Sequence, residues 1–578
     1  MNNEVKFRNL TIDEIRELTI AGSWSEDWSR VKVADPFRIE HVRSCRFGGD
    51  IFIESGAYLF DSTIINYHIG ADAHVISTVR MECRQSSTFG NGVDVATVNE
   101  NGGRTVRIHE QMTAQTAYVT AMYRHRPRIV ELSTAWADEV AESRRSSIGY
   151  VGKRSHIIGV RFIREVNIGD DVIIEGASLL ENGTLLNGVR IGMDVKCRDF
   201  IAVEGASIEM GVIVVRSFIG EGVKLGNSFT AVDSLFFANS HCEHGEACSI
   251  FAGPYTVSHH KSSLLIAGIF SFYNAGSGTN QSNHLFKSGP VHQAVHRRGC
   301  KSASNGYVMA PSDEGEFTTV LGRHTKHHDT SEMPFSYLIE SRGESLLMPG
   351  FALRSSGTLR DIAKWPQRDK RRVYRDIISF NEHNPLLAYK AHRAIGILNA
   401  MQAASPDDDV FAYNGTHIKS SMLIRGISLY EKYLAASLAS MLKCGKSKPT
   451  KAGRWVDLAG QYIEQKFVET LLDSVEDGVI SIKDVDDRLR TFASQYDDRA
   501  HGWALAMLAK KLGHTPSEEE IREAIAEGEA AAKHLRNIAE ADRQNDNSRS
   551  TSIGYGIDAD GGAIRDADFE AVRGVKLG

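Results

Sequence analysis

The chain is short of proline, has no clustered cysteine and carries no long apolar run. Each shortage removes a class of protein. Twelve prolines stand against 51 glycines in 578 residues. The seven cysteines (Cys45, Cys83, Cys197, Cys242, Cys248, Cys300, Cys444) are odd in number and far apart. With no CxxC pair among them, a zinc ribbon and a disulfide framework are both excluded, and a reduced protein is expected. Cys242 and Cys248 flank His244, a grouping read as incidental. No apolar run approaches the roughly 20 residues that cross a bilayer. The opening MNNEVKFRNLTIDEIREL lacks an apolar centre and a small-residue cleavage site, so a cytoplasmic protein is expected. The formal net charge of -6 gives no general attraction to nucleic acid or anionic membrane. An apolar fraction of 42% and a charged fraction of 24% fit an ordinary globular chain, long enough for more than one domain.

The glycine that is abundant lies mostly before residue 360 and keeps time with aliphatic residues. Every sixth position from Ile168 is apolar: Ile168, Ile174, Leu180 and Leu186, then after a one-residue slip Ile191, Cys197 and Val203, and later Ile219, Leu225, Ala231 and Phe237. An earlier block runs Ile51, Ala57, Thr63, Ile69, Val75, Met81, then Phe89 and Val95. Neither a helical period nor strand alternation gives this beat. Short strands joined by turns do, each coil repeating one layer up, with the marked residue inward and glycine easing the turn. A coil of this kind buries its apolar side only against its neighbours, so the whole is a solenoid.

These runs resemble the hexapeptide-repeat superfamily, whose fold is the left-handed parallel β-helix. The resemblance implies a left-handed β-helix solenoid; helical spacing within the chain adds a helical insertion, an all-α C-terminal domain and a returning tail, so the fold class expected is α+β. The resemblance further implies a homo-oligomer, commonly a trimer, with sites in grooves between helices. Many members are acyltransferases with one histidine as general base, some hold zinc through histidine, and the same β-helix caps several sugar-phosphate nucleotidyltransferases. Over most of its length the chain is also similar to an uncharacterised bacterial family sometimes labelled nucleotide-sugar pyrophosphorylase-like. The run GPYTVSHHKSSLLIAGIFSFYNAGSGTNQSNH carries that likeness. The region ahead of the solenoid is too short for a nucleotide-binding domain and has no glycine-rich basic loop.

The expected organisation is an N-terminal cap over residues 1–45, the first solenoid block over 46–112, a helical insertion over 113–145 and the second block over 146–355. A helical domain over 356–545 and a tail over 546–578 packing back on the body complete it. From Thr358 helix formers replace the glycine beat, Pro366 interrupts them, and Asn384-Pro385 opens an amphipathic segment. Further helices are predicted at 416–444, 453–475, 482–512 and 517–540, the last opened by Pro516-Ser517-Glu518-Glu519-Glu520. The basic run from Arg368 to Arg375 suits either a phosphate or an interdomain face. Ser552-Ile553-Gly554-Tyr555 in the tail echoes Ser147-Ile148-Gly149-Tyr150.

Side chains that carry protons concentrate between Phe251 and His328. His259, His260, His284 and His324 are the candidate general acids and bases, because imidazole titrates closest to neutrality. Amides of Asn274, Asn280, Gln281, Asn283 and Gln293 suit sugar hydroxyls. Lys261, Lys287, Arg297 and Arg323 suit phosphate or carboxylate, with His292, His327 and His328 beside them. Metal-free acid–base chemistry is preferred to a three-histidine metal centre, since the four-residue offsets His292/His296 and His324/His328 share a face only in a helix. The sequence therefore leads to an enzyme of transferase type, acyl- or nucleotide-sugar-related, acting on a sugar, nucleotide sugar or related phosphorylated metabolite. A non-catalytic metabolite-binding or assembly protein and a histidine-ligated metal hydrolase stay open beside it. The cofactor stays open, and neither nucleic acid nor membrane is expected as a partner.

Overall fold

A computed structural model describes residues 5–284, 289–557, 562–574 and 576. The chain is α+β. A parallel β-solenoid runs from Val31–Ala34 to Tyr337–Ser341, and a helical region follows it. In chain order the helices are α1 (Ile12–Ile20), α2 (Ala114–Met122), α3 (Pro127–Arg144), α4 (Ser356–Gln367), α5 (Pro385–Ala404), α6 (Ser420–Cys444), α7 (Gln465–Glu476), α8 (Val485–Ser494), α9 (Tyr496–Leu512), α10 (Glu518–Asn545) and α11 (Gly562–Arg573). No helix among the described residues is long and apolar enough to cross a membrane.

Parallel pairing sets the repeat. Ile163 pairs with Leu180, Leu180 with Cys197 and Cys197 with Val214. The side chains that bridge successive coils, such as Asn182 to Asp199, are 17 residues apart. Between Phe162 and Ile219 a coil is thus two six-residue faces and one of five. The inward ladder is Ile163, Ile168, Ile174, Leu180, Leu185 and Ile191, all buried. This corrects the strict six-residue beat: Ile64, Leu185, Ala202 and Phe236 point inward, not Thr63, Leu186, Val203 and Phe237. The displaced Val203 and Phe237 face outward and pack under α2. Fully burying each aliphatic side chain contributes about 1.5–3 kcal/mol, and the ladder repeats that gain coil after coil.

At one corner Glu165, Asn182, Asp199, Arg216 and Asp233 adopt φ between 42° and 55°. Left-handed backbone costs a residue with a Cβ roughly 1–2 kcal/mol. Cross-coil bonds offset it: Asn182 Nδ2 donates to Asp199 Oδ1 at 2.7 Å, and Arg216 forks onto Asp233 at 2.7 and 2.6 Å.

Ends and excursions follow from local sequence. Phe7–Asn9 pairs antiparallel with Val31–Ala34, and a Thr11/Glu14 capping box starts α1. α2 and α3 leave the solenoid after Thr105–Arg107. At the far end Tyr337–Ser341 turns back on Glu344–Met348 as an antiparallel hairpin. The C-terminal region also holds two hairpins that helical periodicity did not reveal. Thr416–Lys419 pairs with Val410–Tyr413, so α6 begins at Ser420. Trp455–Leu458 pairs with Gln461–Glu464, so α7 begins at Gln465. Ala459 and Gly460 turn that hairpin with φ of 48° and 108°. The segment 482–512 breaks at Gln495 into α8 and α9. In the tail, Phe569 is buried with its ring 4.9 Å from Tyr555, and Arg573 donates to the Asp546 carbonyl.

One extended segment ties the two halves together. Residues 368–377, between α4 and α5, run along the solenoid beneath α2. The Glu221 carboxylate accepts the backbone N–H groups of Arg372, Val373, Tyr374 and Arg375 at 2.5, 2.5, 3.2 and 2.9 Å. Arg375 forks onto Glu204 at 2.5 and 2.6 Å. Asp376 accepts from the N–H groups of Ala114 and Ala238 at 2.8 and 3.0 Å. Arg298 adds a second tie, its guanidinium lying 3.8 Å from the Phe272 ring centre and 4.3 Å from that of Tyr462. This strap becomes one wall of the cleft described next.

Candidate functional site

A cleft of about 610 Å³ opens between one solenoid face and the wall formed by α4 and residues 368–370. Parallel register builds the solenoid side. Lys224, His241, Val257, Asn274 and Lys301 stand in one column, one per coil. His241 and Glu243 sit two apart on one strand and so share a face, while Cys242 between them points into the core. His241 Nε2 lies 2.7 Å from Glu243 Oε1. His259 comes from the next coil, its ring edge-on to that of His241 with centroids 4.3 Å apart.

The electrostatics of this cluster are settled by burial and by its own bonds. Burial lowers the His241 pKa, against the pull of Glu243. Burial and then the neighbouring His241 push His259 down to about 4, so its ring is neutral at pH 7. Burial opposes the charge on Glu243, but bonds from His241, Lys224 and Asn227 outweigh it and hold the carboxyl at about 2. Lys224 Nζ is 3.2 Å from both Glu209 and Glu243.

The facing wall is cationic. Asp361 pairs with Lys364 at 2.6 Å and with Lys301 at 3.5 Å. Asp369 accepts from Asn239 Nδ2 at 3.0 Å and is paired with Arg371 at 2.6 Å. Arg368 and Lys370 border the cleft, are exposed, and make no side-chain hydrogen bond or ion pair among the described residues. Two cations that are free among the described residues thus border the same cleft as imidazoles that burial keeps neutral at pH 7.

Of the histidines and polar residues singled out in the sequence, His259 and Asn274 line this cleft. His260 and Lys261 follow in the chain and are exposed outside its lining. The rest disperse. Gln281 lies inside the solenoid, 2.6 Å from His296 Nε2. There too, Glu314 sits 2.8 Å from both His296 and His328, all three fully buried. Burial resists the charge on His328, but its bond to Glu314 raises the pKa, and the same bonds keep Glu314 well below the usual carboxylate range. His324 bonds Ser345 at 2.8 Å, and burial lowers it to about 4. On other faces Asn283 donates to Glu100 at 2.5 Å, with the exposed His284 3.0 Å from Asn283 Oδ1. Gln293 accepts from Arg104 at 2.9 Å, and Arg297 forks onto Asp313 at 2.7 and 2.8 Å. Asn280 is exposed, Arg323 lies over the Tyr307 ring at 4.5 Å, and His292 and His327 stand 6.2 Å apart. Lys287 lies outside the described residues.

Sequence reading passed over His241, Glu243 and Lys224. The signal was present: His241-Cys242-Glu243 puts two polar groups on one strand face, and one coil later falls His259.

Comparison with known proteins gives a second family, described as Domain of unknown function (DUF6819), that matches residues 435–576. A protein of Treponema pallidum (strain Nichols), named "Uncharacterized protein", is 22% identical over 577 residues, covering 82% of this chain and 78% of its own length. Residues 56–402, which hold most of the solenoid and both walls of the cleft, match a further family model, and the chain belongs to that family, described as Domain of unknown function (DUF4954).

Proposed function

We propose that the chain is an enzyme of transferase type that acts on a phosphorylated sugar, nucleotide sugar or related metabolite in this cleft. The observation that carries the reading is that Arg368 and Lys370, cations without a side-chain partner among the described residues, border one cleft with His241 and His259. Arg368 and Lys370 receive the phosphate, and the exposed Asn274 amide faces the sugar hydroxyls. The reacting bond lies against the neutral rings, whose lone pairs are available at neutral pH. A homo-oligomer, with the trimer that the β-helix resemblance implies, completes the proposal, and native mass spectrometry measures it.

The test is binding followed by turnover. Wild-type chain is titrated calorimetrically with inorganic phosphate, sugar phosphates and nucleotide sugars, and Arg368→Ala/Lys370→Ala is titrated alongside. Phosphorylated ligands are expected to bind wild type and to lose at least ten-fold in affinity in the variant. His259→Ala is expected to keep binding and lose turnover. A non-catalytic binding protein would retain the same ligand without converting it. Equal affinity in the variant would remove the cleft from consideration.

A further inference from the structure

His241 and His259, which line the cleft, and Glu243 beside them have a chemistry beyond proton transfer. One ring nitrogen each of His241 and His259 and one oxygen of Glu243 lie within 4.8 Å of one another. Strand geometry holds them there. His241 and Glu243 share a strand face, and His259 is brought in by the next coil in parallel register. Two imidazoles and one carboxylate with an open side are a donor set for a divalent transition cation that keeps room for water or substrate oxygen.

Distances allow it. Around a tetrahedral ion with bonds of about 2.1 Å, donors stand roughly 3.4 Å apart. The His241–Glu243 pair, now at 2.7 Å, spreads by about 0.7 Å, and His259, within 4.8 Å of both, closes in by up to about 1.4 Å through side-chain torsion. Asn227 Nδ2 donates to Glu243 Oε2 at 2.8 Å and so fixes the second carboxylate oxygen, as outer partners of metal ligands do. Lys224 is the opposing charge, and Glu209 at 3.2 Å offers it another partner.

The geometry points to a single divalent transition-metal site at His241, Glu243 and His259, beside the cleft that Arg368 and Lys370 also border. This rests on the reading of the cleft as a phosphorylated-metabolite site and names its reactive end. With their lone pairs on the ion the rings no longer serve as bases, and the ion itself acts as a Lewis acid on a phosphoryl or carbonyl oxygen of the bound metabolite.

The untagged full chain is stripped with chelator, dialysed against zinc or cobalt, and measured by elemental mass spectrometry and visible absorption. Wild type is expected to retain one ion per chain and to show the cobalt d–d band of a low-symmetry four- or five-coordinate centre. His259→Ala and Glu243→Gln are expected to lose both signals while their circular dichroism and melting stay those of wild type. His260→Ala, at the exposed neighbour, is expected to keep them. His259→Gln stands in if the alanine variant misfolds. Folded wild type without stoichiometric metal overturns the site, as does unchanged metal binding in both ligand variants. A parallel phosphate titration separates the two readings. Phosphate binding without metal leaves the cleft and removes the ion; metal without phosphate binding, or with affinity unaltered in Arg368→Ala/Lys370→Ala, does the reverse.

Discussion

Glu221→Ala removes one carboxylate and strands four amides. Glu221 is 2% exposed, and its two oxygens accept from the backbone of Arg372, Val373, Tyr374 and Arg375. Successive N–H groups turned toward one point form an anion-binding nest, here with Tyr374 at φ 58°. Hydrogen bonds to a charged acceptor are worth about 1.5–3 kcal/mol each when sealed from water. Arg372, Val373 and Tyr374 are exposed residues, so water replaces part of what is lost. A net cost of about 3 kcal/mol is the reasonable figure, below the sum of four separate bonds. At 1.4 kcal/mol per factor of ten, local opening of the strap rises roughly a hundred-fold. Hydrogen exchange read by mass spectrometry checks this directly: peptides covering 368–377 are expected to exchange faster, while solenoid peptides around Leu180 keep their protection. Phosphate affinity is expected to fall as well, because Arg368 and Lys370 ride on the strap. Unchanged exchange at 372–375 in a folded variant would refute the account.

Three other outcomes are expected. Glu314→Gln breaks a buried carboxylate–imidazole pair, at a cost of about 3–5 kcal/mol. The Glu314 contribution exists above its ordinary pKa of 4.5 and fades as pH falls through its depressed folded value; that of His328 exists below 6.5 and fades as pH rises through its raised one. Melts of wild type and variant should therefore differ most between pH 4.5 and 6.5, and a difference independent of pH would exclude the pairing as its source. Asp486 accepts from Thr113 Oγ1 at 3.0 Å, and burial lifts its pKa to about 6. Its charge opposes folding above that pH, so Asp486→Asn should raise the melting temperature at pH 8 and change little at pH 4; a loss at pH 8 would contradict this. Leu180→Ala opens a cavity in the middle of the ladder and should cost about 2–5 kcal/mol by denaturant titration, with a cost near zero arguing against a close-packed coil interior.

The solenoid was legible because its signal is redundant. Inward aliphatics recur coil after coil, so misplacing Leu186 for Leu185 left the repeat visible. Side-chain registry was not, since a step of 17 residues looks like six until hydrogen bonds fix where the five-residue face falls. The same shortfall hid the cleft. His241, Glu243 and His259 meet through register, a relation between coils that spacing along the chain does not display. Density of histidine misled for a physical reason: His296, His324 and His328 are interior groups packed against Gln281, Ser345 and Glu314 inside the solenoid. The two C-terminal hairpins were missed because four-residue strands such as Trp455–Leu458 lie beside long amphipathic helices whose period dominates any window containing both.

Threading the strap under α2 gives the molecule two kinds of closure. Neighbouring coils such as those of Asn182 and Asp199 join across only 17 residues, a short loop that can zip from any point. The strap must reach Asn239 across 130 residues and Ala114 across 262, and it cannot seat until both partners are in place. The cleft is therefore expected to form after the coils it lies against and to open before them. A molecule that has lost this wall can still present an intact stack to any probe that counts only strands.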